Sequence, residues 1–147
     1  MKALFHTDDS WSSLILRVML GIVMFPHGAQ KVFGCFGGHG FAGTMGFFTT
    51  QMHIPAAFAF LAIMAEFAGS LGLLTGFLTR IAAFGIAVNM AVAVLMVHRA
   101  NGFFMNWFGA KQGEGFEYHL LVIGMAVALM LAGGGKGSVD RKIAEKV

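Results

Sequence analysis

Four long apolar segments occupy most of this 147-residue chain. They cover residues 14–33, 55–79, 81–98 and 118–132, and their lengths are close to the roughly 17–25 residues that a helix needs to cross a membrane. Charged residues make up only 12% of the chain, against roughly a quarter in soluble domains. Most of the surface must therefore face something other than water, and the sequence predicts an all-α integral membrane protein.

The spacing of the segments predicts an antiparallel bundle of four transmembrane helices. Little more than Thr79 and Arg80 separates the second segment from the third, which forces a tight helical hairpin. Two longer connections, residues 34–54 and 99–117, are rich in aromatic residues, which concentrate at membrane–water interfaces. Both are predicted to be interfacial loops on the outer side. In the first loop, side chains spaced three or four apart predict a short amphipathic helix in the interface: Phe41, Met45, Phe48 and Met52.

The distribution of basic residues predicts the orientation of the bundle, because cytoplasmic loops carry an excess of Lys and Arg. An even number of spans puts both termini and the hairpin on one side, which holds Lys2, Arg17 at the membrane edge, Arg80, Lys136, Arg141, Lys142 and Lys146. The opposite side holds Lys31, Arg99 and Lys111. We therefore predict that both termini are cytoplasmic. The chain is predicted to be a single membrane domain over residues 1–147, with residues 136–147 as a short basic cytoplasmic tail.

Glu66 is the polar residue that most strongly indicates a function, since it falls near the midpoint of the second segment. A carboxylate at that depth costs several kcal/mol unless it is paired, protonated or hydrated. His27 lies about 6 Å toward the outer side from the midpoint of the first segment, nearly level with Glu66. The two are predicted to form a proton-handling pair, and the alternative is that Glu66 fixes helix register. Asn89, near the midpoint of the third segment, is predicted to form an interhelical hydrogen bond or to bind a cofactor.

The stretch "PHGAQKVFG", residues 26–34, places further polar groups at the end of the first segment. His27, Gln30 and Lys31 share one helical face, so they are predicted to point together into the bundle. For Lys31 the alternative is that its ammonium group extends to the lipid headgroups. A second set of polar residues lies at the outer rim: His98, Arg99, Glu117 and His119.

Other site classes have weaker support in the sequence. No spacing typical of a metal or haem site is present, so we predict no metal, although a metal or haem would be held through His27, His98 and His119 if these converge. The single cysteine, Cys35, excludes an internal disulfide. No basic stripe with interleaved aromatic residues is present, so nucleic acid is not a predicted partner.

Several stretches, read in order, carry a family resemblance. They are "LRVMLGIVMFPHGAQKVFG", "FGGHGFAGTMGFF", "IPAAFAFLAIMAEFAGSLGLLTGFLTRIAAFGIAVNM", "HRANGFF" and "GEGFEYHLLVIGMAVALMLAGGG". Over residues 14 to about 140 the chain resembles the DoxX family of membrane proteins. The resemblance implies a four-helix protein of the bacterial inner membrane, related to the membrane subunit of thiosulfate:quinone oxidoreductase.

The resemblance also implies a site, because positions that recur in the family map onto His27, Gln30, Lys31, Glu66, His98, Glu117 and Tyr118. Together with the membrane-depth argument, this predicts Glu66 and His27 as catalytic residues. The predicted cofactor-binding residues are Gln30, Lys31, Asn89, His98, Glu117, Tyr118 and His119.

Two functions follow as hypotheses. In the first, the protein is a subunit of a redox system that binds quinone and relays protons through Glu66 and His27. Since the sequence has no flavin, iron–sulfur or c-haem motif of its own, a redox role would use a bound quinone, a cofactor held without a recognisable motif, or a membrane or soluble partner protein. In the second, the protein is a non-enzymatic scaffold, or a module that binds an apolar ligand and recruits a soluble enzyme. The lipid bilayer is a partner in both, and the oligomeric state is left open.

Overall fold

The computed structural model describes residues 2–146, and every regular element in that range is a helix or helical turn. The α-helices, numbered along the chain, are α1 (Lys2–Phe5), α2 (Trp11–Phe33), α3 (Gly40–Gly46), α4 (Ala56–Thr75), α5 (Thr79–Met96), α6 (Glu117–Ala132) and α7 (Val139–Ala144). Tight 3-10 turns cover Cys35–Gly37 and His98–Asn101, and a π-helical turn covers Phe47–Gln51. The predicted all-α class is confirmed.

Three of the helices, α2, α4 and α5, are long and apolar enough to cross a membrane. Helix α6 is apolar but has only 16 residues, or about 24 Å of helix at the usual rise. A fourth span therefore remains a prediction. The observed helices begin and end within four residues of the predicted segments, which shows that apolar length was a reliable guide to their position.

Neighbouring long helices run in opposite directions. Helix α2 packs on α4, α4 on α5, and α5 on α6. Gly21 lies against Leu74 and Gly28 lies against Phe67, so α2 and α4 are antiparallel. A cluster of buried apolar side chains forms the core between these helices, with its largest members at Leu20, Met24, Leu73, Ile86 and Leu129.

The turn between α4 and α5 is the tight hairpin that the sequence predicted, and the C-terminal segment closes it. Leu78 is left-handed there, with φ 51°, a conformation that is strained for a residue with a Cβ. The Asp140 carboxylate holds this turn, because it accepts hydrogen bonds from the backbone N–H of Leu78 at 2.7 Å and of Thr79 at 2.8 Å. Ser138 and Asp140 are buried. The segment predicted as a basic tail is thus docked on the bundle up to α7.

Arg17 lies inside the protein at the same end, where the sequence had placed it at the membrane edge. Its side chain is only 3% exposed, and its guanidinium donates to the carbonyls of Leu73, Leu74, Gly134 and Lys136 at 2.8–3.2 Å. Carbonyls in the last turn of a helix have no partner within the helix. Arg17 supplies partners for two of them in α4 and ties α4 to the segment after α6.

The two long loops differ in their structure. Residues 34–54 contain the predicted short helix, since α3 continues into the π-helical turn; Met52 lies just beyond it. Residues 99–117 are organised by Glu117, whose Oε1 accepts from the Met105 N–H at 2.8 Å and the Trp107 Nε1–H at 3.3 Å. The neighbouring Phe108 is 96% exposed. The placement of both loops in the membrane interface remains a prediction.

Candidate functional site

Glu66 is buried within the bundle and has two partners from different helices. Its Oε2 forms an ion pair with the Lys31 ammonium group on α2, and its Oε1 accepts a hydrogen bond from the Asn89 amide on α5 at 2.7 Å. Glu66 is only 4% exposed. The pairing brings opposite charges together, which removes most of the cost of an isolated carboxylate in hydrocarbon. We call these three residues the Glu66 cluster.

Close packing of α2 and α4 positions Lys31 to reach Glu66. At Gly28, one helical turn before Lys31, an added Cβ would lie 2.6 Å from the Cα of Phe67. Only a glycine permits this separation of the two backbones. The alternative in which the Lys31 ammonium extends to the headgroups is therefore wrong, because the side chain turns inward to Glu66. The interhelical hydrogen bond predicted for Asn89 is present.

The three polar residues at the end of α2 do not converge as the sequence predicted. Gln30 points away from the cluster and donates to the carbonyl of Phe36 at 3.2 Å. The His27 ring lies beside Tyr118 on α6, with 6.5 Å between the ring centroids. The Glu66 oxygens are bonded to Lys31 and Asn89 rather than to His27. At 3.6 residues per turn, residues 27, 30 and 31 share one broad face of α2. That face contacts three different parts of the protein: α6 at His27, the 34–54 loop at Gln30 and α4 at Lys31.

Two histidines meet at the outer end of the bundle. The rings of His98 and His119 are 4.0 Å apart between centroids. His98 Nδ1 donates to the backbone carbonyl of Glu114 at 2.9 Å. His119 is only 6% exposed, and in the described part of the chain its Nδ1 has no hydrogen-bond partner. Because buried polar atoms are nearly always paired, His119 has an unused capacity to bond a ligand or a water molecule.

A cleft of about 1600 Å³ connects the Glu66 cluster with these histidines. It runs along α4 and α5, and its outer walls carry large exposed side chains such as Phe58, Leu61, Phe84 and Val88. The long outer side of the cleft is therefore apolar. The polar side chains that line the cleft are His27, Lys31, His53, Glu66, Thr75, Asn89, His98, Glu114, Tyr118 and His119.

The structure thus brings seven of the nine predicted site residues to one cleft and leaves two outside it. Gln30 is bonded to the loop that follows α2, and Glu117 holds the loop that precedes α6. Sequence reasoning missed Glu114 and Met24, which also line the cleft. Met24 was not identifiable from its residue type. Glu114 was, as the one other acidic residue in the outer loop before Glu117.

A metal centre has no ligand set in the range that the structure covers. Within residues 2–146, no three His, Cys, Asp or Glu side chains are grouped as metal ligands would be. His98 and His119 are close, with their ring planes tilted by 40°, and no third ligand of this kind joins them in the described range. This arrangement leaves the cleft as the candidate functional site.

Comparison with known proteins gives one family and one named relative. The family model described as DoxX matches residues 12–99. The inner membrane protein YqjF of Escherichia coli (strain K12) is 28% identical over 133 residues, which cover 90% of this chain and 92% of that protein. No solved structure matches the chain significantly. The family match covers α2, α4 and α5, which carry the whole Glu66 cluster.

Proposed function

This chain belongs to the DoxX family and is a membrane protein, and from this premise we propose that it is a quinone-binding subunit of an inner-membrane redox system. The bacterial inner membrane is proposed because the relative YqjF is named as an inner membrane protein. The two share nearly their whole lengths. The quinone is proposed from the site itself.

The observation that supports this function is the cleft, which has exposed apolar side chains along its outer walls and buried polar side chains at its inner end. We propose that its outer side faces the hydrocarbon. Quinones are apolar molecules with hydrogen-bonding carbonyls at one end, and they reach their sites through the bilayer. Ligand sites of this kind are mostly apolar with a few polar groups that fix orientation. A volume of about 1600 Å³ leaves room for a ring and part of a tail.

The residues that would hold the quinone head are those with hydrogen-bonding capacity at the inner wall of the cleft. His119 has an unpaired buried Nδ1, His27 is exposed to the cleft, and Asn89 has an amide oxygen free of the Glu66 contact. When bound, a quinone accepts two electrons and two protons and becomes a quinol. A redox partner protein would supply the electrons, and Glu66 and His27 would supply the protons.

Replacing Glu66 by glutamine tests the role of the carboxylate. The amide keeps the shape and a hydrogen-bond acceptor but cannot exchange protons, so we expect quinone-linked turnover to fall by about tenfold or more, the lower range for a general acid–base group. Turnover is measured in membranes that contain the protein and its electron donor. Glu145→Gln makes the same change at an exposed carboxylate away from the cleft and serves as the matched control. Full activity in a stable Glu66→Gln variant would contradict the proton-exchange role.

A non-enzymatic scaffold is the second candidate, and the saturation of Glu66 favours it. Both carboxylate oxygens are bonded to side chains of other helices, as expected for a residue that fixes helix register. In that case Glu66→Gln would leave function intact, and the purified protein would retain a stoichiometric protein partner rather than a quinone. The same variant therefore separates the two candidates.

The proposed arrangement in the membrane is a bundle of four antiparallel transmembrane helices, α2, α4, α5 and α6, with both termini cytoplasmic. We expect a membrane-impermeant thiol reagent, added outside, to label Gln112→Cys and not Lys142→Cys. Both positions are exposed, and Cys35 is first replaced by serine in each. The prediction is measured in intact cells, with permeabilised cells as the control. Labelling of Lys142→Cys alone would reverse the orientation.

A further inference from the structure

A second cavity, of about 290 Å³, lies beside the Glu66 cluster on the side of the 34–54 loop. Its walls come from the end of α2 and from the loop, with polar groups at Gln30, Lys31, His39 and Thr44. Lys31 lines this cavity and also the large cleft. The Lys31 side chain is therefore part of the wall of both the small polar cavity and the large cleft.

We propose that this cavity is a hydrated vestibule through which the Lys31–Glu66 pair exchanges protons with the solution on the side of the 34–54 loop. A cavity of this size holds several water molecules, since each takes up about 30 Å³ in the liquid. The hydroxyl of Thr44, the amide of Gln30 and the imidazole of His39 give those waters the polar partners they need.

The opposite direction from Glu66 is closed by apolar packing. Between Glu66 and the hairpin, the interior is filled by Leu20, Leu73 and Ile86, each no more than 1% exposed. Ser70, one turn beyond Glu66, bonds its hydroxyl to the Phe67 carbonyl of its own helix. The vestibule offers water polar side chains as far as Lys31, the partner of Glu66, whereas the buried side chains between Glu66 and the hairpin are apolar apart from Ser70.

The structure of the loop maintains the vestibule. An added Cβ at Gly38 would lie 2.3 Å from the carbonyl oxygen of Gln30, so the loop backbone rests directly on the end of α2. The Gln30 amide fixes the loop a second time through its bond to the Phe36 carbonyl. The loop thus stays over Lys31 rather than folding into the cavity.

Lys31 and Glu66 are the charged groups at the inner end of this route. The titratable side chains that act on Glu66 from other helices are Lys31 and His27 on α2 and Tyr118 on α6, while α5 contributes the neutral amide of Asn89. Glu66 lines the large cleft and not the vestibule, so its proton comes through Lys31. The Lys31 ammonium gives a proton to the Glu66 carboxylate, and the resulting amine takes a proton from a hydronium ion in the vestibule, which becomes water. The use of that proton in quinone chemistry rests on the proposed function, whereas the access of water does not.

Silver-ion access to engineered cysteines tests the vestibule directly. Ag⁺ is small and reacts with thiols only where water reaches them. Thr44→Cys places a thiol in the vestibule wall, and Ser70→Cys places one in the packed interior; both native side chains are buried. Each is made with Cys35 replaced by serine, because Cys35 is exposed. The protein in liposomes is treated with Ag⁺, then denatured and labelled with a fluorescent maleimide.

We expect Ag⁺ to reduce later maleimide labelling of Thr44→Cys by tenfold or more and to leave Ser70→Cys unchanged. Equal protection or equal reactivity at the two positions would overturn the proposal. If Thr44→Cys does not fold, Gln30→Cys probes the same cavity from α2. The Ag⁺ experiment contains no quinone, so its result does not depend on the proposed function. If Ag⁺ blocks labelling of Thr44→Cys but the protein binds no quinone, the vestibule stands and the proposed function fails. If the protein binds quinone but Ag⁺ does not reach Thr44→Cys, the vestibule fails and the proposed function stands.

Discussion

Replacing Gly28 by alanine is expected to destabilise the protein by about 3 kcal/mol, the upper end of the usual cost of overpacking. The added Cβ would lie 2.6 Å from the Cα and 2.7 Å from the backbone nitrogen of Phe67. Because both are backbone atoms, α2 and α4 must separate to admit the methyl group. In an open helix position the same change would stabilise by up to about 1 kcal/mol.

Gly124 on α6 provides the matched control for this prediction. It is also a helical glycine, but an added Cβ there has no neighbour within 4 Å. Gly124→Ala should therefore be neutral or slightly stabilising. The free energy of unfolding is measured for both variants in mixed detergent micelles. Equal stabilities of the two variants would show that α2 and α4 do not approach at Gly28 as described.

The second large effect is expected from removing one partner of the buried ion pair. Glu66→Leu leaves the Lys31 ammonium unpaired and the Asn89 amide without its acceptor, and should cost about 3 kcal/mol of the free energy of unfolding. This value is the lower end of the range for breaking a buried ion pair, because the Lys31 side chain is still 24% exposed. Lys31→Met should also destabilise, since it leaves the Glu66 carboxylate with only the Asn89 bond.

The double variant Lys31→Met/Glu66→Leu separates pairing from packing. With both charges gone, it should regain most of the stability lost by either single variant. The exposed pair Arg141 and Glu145 on the C-terminal segment is the control, where Glu145→Leu should cost no more than about 0.5 kcal/mol. Additive losses in the double variant would mean that Lys31 and Glu66 do not interact.

Apolar length and turn spacing were sufficient to predict much of the fold. A helix in a membrane must satisfy its backbone within itself, so a long apolar run has few alternatives, and α2, α4 and α5 lie where their runs predicted. The hairpin followed because little more than Thr79 and Arg80 separates the second apolar segment from the third. The observed turn lies slightly earlier, at residues 76–78, and Thr79 and Arg80 belong to α5. Membrane depth also brought Glu66 and Asn89 to the same level, where the structure shows them bonded.

Partner choice among the polar side chains could not be predicted in the same way. His27 and Lys31 lie one turn apart on α2, and depth alone favoured His27 as the partner of Glu66. The side chain of Lys31 is longer, and the close approach at Gly28 brings it within reach of the carboxylate. Gly21 and Gly28, seven residues apart on one helical face, were a signal of that approach that sequence reasoning did not use.

The docking of the C-terminal segment was missed because its buried bonds to the helices pair a charged side chain with backbone groups. Arg17 donates to the carbonyls of Gly134 and Lys136, and Asp140 accepts from the N–H groups of Leu78 and Thr79. Almost every residue type offers the same backbone groups, so the residues at the contacted positions do not reveal these bonds. A basic, polar stretch of sequence was therefore interpreted as a tail although Asp140 is buried.

Quinone retention by the purified protein is the most direct test of a binding cleft between the bilayer and the Glu66 cluster. The protein is reconstituted with quinone in lipid nanodiscs, washed, and extracted for chromatography. Val88→Trp fills the cleft from α5, and Val127→Trp is the matched control on α6, since the native side chains are 45% and 44% exposed and only Val88 lines the cleft. We predict that the wild type and Val127→Trp retain quinone well above empty nanodiscs and that Val88→Trp does not. Retention at the level of empty nanodiscs in the wild type, or equal retention in the two variants, would contradict the account.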